Sequence, residues 1–268
     1  MYNKEELMRQ LRELGLKKGD TVELHISLRS MGPVEGGADT VLDAILGVIG
    51  EEGLLSTPTH TWHLIPGKSR LYDVRNTPSC TGTLGEVARR RPDGIRSLHP
   101  SHSVVAFGRD KEAFVAGEEL ITSPADPKGI GGKLLDRDVK VLLVGVGQEK
   151  NTLLHTVEEL DDMPGRLSPR DREVTIIDWE GREHKSVIQN HCRPISVYFP
   201  KFEPAFRAYG ALKDGKWGDA AVQLCSGRRL RDVMRAITGS TDEELVNDYE
   251  PLREELWKGL SFPWMNEN

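Results

Sequence analysis

His155 and Glu158 stand three residues apart in "NTLLHTVEELDD", a segment whose apolar residues recur at helical spacing, so an imidazole and a carboxylate share one helix face. A carboxylate in that position orients the ring and stabilises its protonated form, which is what a general base requires. The same spacing also occurs between ordinary surface residues. Four further histidines come in pairs: His60 with His63, and His99 with His102 in "SLHPSHSVVAFG". Pro100 prevents the second pair from chelating on a helix, and no Cys or Asp pattern completes either pair, so no metal site is expected. A serine nucleophile has no G-x-S-x-G elbow to sit on, and Cys80 in "PSCTG" reads as a turn or core thiol.

A second kind of chemistry is suggested by "LHISLRSMGPVEGGADTVLDAI". A strand ends near Ser27, and Gly36 and Gly37 precede a helix, where close backbone approach and unpaired N–H groups suit an anion. Ser27, Arg29 and Ser30 could add donors. The segment is neither a Walker A loop nor a G-x-G-x-x-G fingerprint, and a plain tight β-to-α turn fits it equally well.

The elements that must position these residues follow from apolar periodicity. Helices are expected near 4–15, 38–50, 82–91, 110–117 and 131–136 and from about Asn151, with strands at "TVELHIS", "LLSTPT", "SVVAFG" and "VKVLLVGVG". Strands separated by helices imply a layered α/β/α architecture around a mainly parallel or mixed sheet. His155 then falls just past the C-terminal end of a strand, where open α/β sheets place ligands. Beyond "PGRLSPRD" the pattern changes to a hairpin about the "EG" turn in "REVTIIDWEGREHKSVIQ", with further helices from Arg228. The expected organisation is one domain over 1–268, with a core to about 165 and an appended C-terminal subregion from about 166. "SPADPKGIGG" is the clearest loop.

At 268 residues the chain can bury a sufficient core without disulfides, and Cys80, Cys192 and Cys225 lack the spacing of a disulfide framework, so a reducing cytoplasm is expected. The N-terminus is a charged amphipathic pattern, and no apolar run reaches the roughly 18 residues of a membrane span. A net charge of −6 argues against nucleic acid as a partner, with "RRR" at 89–91 read as a helix C-terminus. The acidic balance suits a cationic ligand and also simple solubility. The spacings do not indicate an oligomeric state.

Five segments in order, "HISLRSMGPVEGG", "PTH", "TPSCTGTLGE", "HPSHSVVAFG" and "VLLVGVGQEKNTLLHTVEE", resemble the aminoglycoside N3-acetyltransferase family, the antibiotic acetyltransferases distinct from the GNAT fold. They span most of residues 20–165. Ile26 departs from the small polar residue usual after His25. The resemblance implies an enzyme that transfers acetyl from acetyl-CoA to a 3-amino group on a 2-deoxystreptamine ring, with no metal. By position, His155 matches the catalytic histidine and Glu158 its acidic partner. The segments holding His25, Ser27, Leu28, Arg29, Ser30, Gly36, Gly37, Ser103 and Val104 match those that hold CoA. His99 and His102 match the segment lining the site beside it.

An amine attacks a thioester only as the free base, and an imidazole of ordinary pKa near about 6.5 suits the removal of its proton. His155 is thus the expected base, Glu158 its partner, and attack is expected to be direct, without an acyl-enzyme. Carboxylates such as Glu35, Asp73, Glu159, Asp161 and Asp162 are candidates for the remaining ammonium groups of a polycationic substrate. The alternatives are a different small amine acceptor, a CoA-binding protein without catalysis, and a metal-dependent hydrolase.

Overall fold

Asn3 caps the first helix, α1 (Lys4–Leu14), by accepting from the Glu6 N–H, and Gly15 in the left-handed conformation ends it. The computed structural model describes residues 1–62, 70–170, 172–192, 195–241 and 244–266. After α1 come β1 (Thr21–Ile26), α2 (Gly37–Ile49), β2 (Leu54–Pro58), β3 (Leu71–Asp73), α3 (Thr83–Ala88), β4 (Ile95–Arg96) and β5 (Val104–Gly108). The chain continues through α4 (Lys111–Val115), α5 (Ile130–Asp136), β6 (Lys140–Val144), α6 (Leu153–Leu160), β7 (Arg172–Ile177) and β8 (Glu183–Ile188). It closes with α7 (Glu203–Ala208), β9 (Leu212–Trp217), β10 (Ala220–Ser226) and α8 (Gly227–Thr238).

Seven strands form the central sheet in the order β4-β5-β2-β1-β6-β10-β9. The sheet is mixed: β1 runs parallel to β2 and β6, and the outer pairs are antiparallel. Alternation along each strand divides the core into two layers. Val141 and Leu143 face one layer, with α5, α6 and α8, while Leu142 and Val144 face the other, with α1 and α2. At the end of β6, Gly145 has φ 61°, and a Cβ there would lie 1.8 Å from Ser30 Oγ, so glycine lets the turn after β1 close against β6.

The hairpin expected near 172–189 is present as β7 and β8, but it pairs with β3 in a separate three-stranded sheet over Tyr72, Val74, Val174, Ile176 and Ile188. The buried Arg96 guanidinium joins the two sheets. It donates to the carbonyls of Thr59 (2.7 Å), Thr77 (2.6 Å) and Val74 (3.3 Å) and lies over the Tyr72 ring.

The boundary expected near 165 requires correction, because β9 and β10 come from beyond it and complete the central sheet beside β6. The further helices expected from Arg228 reduce to α8 and two short 3-10 turns among the described residues. Gly215 interrupts the apolar alternation of β9, and a Cβ there would lie 2.1 Å from Leu14 Cδ2, so the close seat of α1 hides this strand from sequence patterning.

Candidate active site

The parallel register of β1 and β6 aligns His25 with Leu143 and Ile26 with Val144, so both strands end at the same edge of the sheet. A cleft of about 890 Å³ opens there, bordered by His25, Ser27, His60, His102, His155 and His191. That volume lies in the range of small-molecule sites, at the strand edge where α/β sheets bind ligands.

A short turn at Gln148–Lys150 carries the chain from β6 into α6, whose first turn delivers His155 to the cleft. The i,i+3 geometry places His155 Nδ1 2.7 Å from Glu158 Oε2. Arg166 Nε lies 3.0 Å from Glu158 Oε1, and Arg166 Nη1 is 2.9 Å from Glu244. Glu158 and Arg166 are almost fully buried, so each charge depends on the other. Burial pushes the Glu158 carboxyl up, to about 7, against the pull of Arg166. Burial also draws the His155 imidazole down, to about 4, so the ring is neutral at neutral pH. With its Nδ1–H donated to Glu158, the ring keeps Nε2 as a free acceptor.

His155 is one end of a row of rings. Centroids are 4.1 Å apart from His155 to His191, 5.7 Å from His191 to His102, and 4.7 Å from His102 to His60. Burial, reinforced by the neighbouring imidazoles, draws His60, His102 and His191 below the usual histidine range. The row is therefore a wall of neutral rings. His191 Nε2 also lies 3.6 Å from Glu159, and His25 Nε2 3.5 Å from Glu23. His25, His155 and His191, which line the cleft, thus each lie near a glutamate set behind them.

Of the residues expected to hold CoA, His25 and Ser27 line the cleft, whereas Leu28, Arg29, Ser30, Gly36, Gly37, Ser103 and Val104 do not. Ser30 Oγ donates to Ser27 O, tightening the turn after β1. Ser103 is buried, with its hydroxyl donating to Thr59 O, and Val104 packs into the core. His102 borders the cleft, while His99 lies behind it: its Nδ1 accepts from His102 N–H at 2.9 Å and its Nε2 meets Ser123 O at 3.0 Å. The two rings of that pair therefore differ in role, since one supports the turn and the other faces ligand space.

Asp73 and Glu159 are occupied elsewhere. Asp73 accepts from Arg75, Asn76 and the Asn76 amide in its own turn, and Glu159 accepts from Ser123 and the Ala125 N–H. Sequence reasoning missed His191 and Arg166, which no local spacing marks: Cys192 N donates to Arg166 O across the Leu167–His191 bridge, bringing both to α6. His63 lies outside the described residues. Among the described residues no three His, Cys, Asp or Glu side chains are grouped to hold a metal ion, and no helix is long and apolar enough to cross a membrane. None of Cys80, Cys192 and Cys225 is in a disulfide.

Known proteins share this fold. The family model described as aminoglycoside 3-N-acetyltransferase matches residues 24–238. The chain is 31% identical to an aminoglycoside N(3)-acetyltransferase VII of Streptomyces paromomycinus over 84% of its own length and 88% of the relative's. It superposes on the YokD protein of Bacillus subtilis with a TM-score of 0.73 at 29% identity, covering 87% of this chain and 96% of that one. It also superposes on aminoglycoside acetyltransferase AAC(3)-IVa, solved as a histidine-to-alanine variant with a gentamicin, with a TM-score of 0.75 at 25% identity and 86% coverage of each chain. The fold, the cleft and these matches together place the chain in the aminoglycoside 3-N-acetyltransferase family, a family of acyltransferases.

Proposed function

We propose that the protein acetylates the 3-amino group of a 2-deoxystreptamine aminoglycoside from acetyl-CoA by direct attack, with His155 as general base. The observation that carries this reading is the neutral His155 ring facing the cleft with Glu158 fixed behind it at 2.7 Å. Acetyl-CoA supplies the activated acetyl thioester. The cleft is large enough to hold it, and Ser27, Lys150 and Arg172 line it with hydroxyl and cationic groups suited to phosphates and amides. His155 Nε2 takes a proton from the acceptor nitrogen. Glu158 stabilises the imidazolium, and Arg166 keeps Glu158 in place.

A second reading retains the reaction and changes the acceptor. Lys150 and Arg172 stand beside the one carboxylate, Glu149, among the described lining residues, a balance that also suits an amine with fewer positive charges. Both readings are tested by thiol-detected CoA release from acetyl-CoA with a panel of 2-deoxystreptamine aminoglycosides and small monoamines, for wild type and His155→Ala. Aminoglycoside turnover abolished by the substitution supports the first reading. Turnover confined to monoamines supports the second, and turnover indifferent to the substitution removes His155 from the mechanism.

A further inference from the structure

Behind the histidine wall lies a second, smaller cavity of about 40 Å³, which shares His60, His102, His155 and His191 with the cleft. Two carboxylates on its lining are almost fully buried, Glu118 at 2% and Glu23 at 3% exposure. Among the described residues, Glu118 Oε1 and Glu23 Oε2 have no hydrogen-bond partner. A buried oxygen in that state is destabilising unless water or a proton satisfies it. A water site needs roughly 10–15 Å³ and two or more polar partners, and this cavity offers both for about two or three molecules.

Proton accounting for acetyl transfer gives the cavity a use; this inference rests on that reading of the cleft. An acceptor that arrives as an ammonium loses two protons when its N–C bond forms and the C–S bond breaks. One returns to the departing thiolate of CoA, and the other is surplus. His155 can carry only one at a time. We infer that water in the small cavity takes the surplus proton from the histidine wall and passes it to Glu118, a positioning and relay group that does not touch substrate.

The surroundings suit that role. Burial pushes the Glu118 carboxyl up, to about 7, so it can gain and lose a proton at neutral pH. Lys133 on α5 and a hydrogen bond from the Ile130 N–H at the start of that helix oppose the rise, while Glu119 beside Glu118 and Asp126 in the loop before α5 add to it. Glu118 shares the lining of the cavity with Glu23 on β1, His99 and the four rings of the wall. Asp126, which also lines the cavity, is partly exposed and offers the way out to solvent.

The test is the rate of Glu118→Gln relative to wild type with gentamicin as acceptor, at about pH 7.5, where amines are still largely charged and Glu118 can take a proton, and at about pH 9.5, where free base is abundant. The variant should lose about tenfold at the lower pH, less than for a direct proton-transfer group, and approach wild type at the higher. A loss equal at both pH values means a structural role and overturns the inference, as does no loss at either. High-resolution diffraction on the wild-type protein gives a readout independent of turnover. Ordered water on Glu118 Oε1 supports the relay, and a dry cavity overturns it. Failure of wild type to use any amine falls on the acetyl-transfer reading, while diffraction still decides the cavity.

Discussion

Arg96 and Arg166 are both buried guanidinium groups, and the molecule treats them in opposite ways. Arg96 is held by three carbonyls, the hydroxyls of Thr59 and Ser103, and an aromatic face. Arg166 is held by two carboxylates, and the chain of contacts through Glu158 ends on His155 in the cleft. A buried charge satisfied by fixed dipoles has no proton to exchange and serves as a joint. One satisfied by titratable partners sets their protonation.

The sharpest test of this contrast is at the end of the second chain. His155→Ala should lower kcat by about 10²–10⁴-fold with little change in melting temperature, measured by CoA release and calorimetry. Arg96→Met should do the reverse. It takes the guanidinium donor from the buried Val74 and Thr77 carbonyls, while Thr59 O keeps the Ser103 hydroxyl, and should cost on the order of 3 kcal/mol by denaturant unfolding, with the folded fraction still active. If the two variants lose activity and stability in the same proportion, the contrast fails.

Arg166→Met is an intermediate case. Without the guanidinium, Glu158 keeps its proton to higher pH, so the variant should lose about tenfold in kcat at neutral pH, and the loss should shrink as pH rises. The buried histidines make a smaller prediction about stability. His99 and His155 are held down to about 4, so the unfolded chain binds more protons than the folded one below about pH 6.5. Their contribution is present above the unfolded value and is lost as pH falls toward 4, at a slope of up to about 1.4 kcal/mol per pH unit for each ring. Glu118 and Glu158, raised to about 7, act with the opposite sign as pH rises from the carboxylate range toward 7. Chemical denaturation across pH 4–8 should therefore show a maximum of stability, and His99→Asn should flatten its acid side.

How much of this is legible in the sequence depends on how local each signal is. His155 and Glu158 are readable because i,i+3 spacing fixes their meeting within one helix. The layered mixed sheet is readable because its central strands are continuous apolar runs. Arg166 and His191 are not, because a bridge between residues 167 and 191 brings them to α6. Asp73 and Glu159 stand out by charge alone, and charge does not reveal that nearby N–H and O–H groups already occupy a carboxylate. β9 is hidden because Lys213, Asp214 and Lys216 face solvent on an edge strand and Gly215 accommodates a helix.

The order of strands in the central sheet also constrains how the protein is made. β6 occupies the middle of the sheet, yet its partner on one side, β10, is among the last strands to be synthesised. Until residue 226 has left the ribosome, β6 presents an open edge of unpaired backbone groups, the feature that draws nascent chains into aggregation. The helix that carries His155 follows from that strand after one short turn, so synthesis exposes this segment to misassembly for the whole time needed to translate β7 through β10.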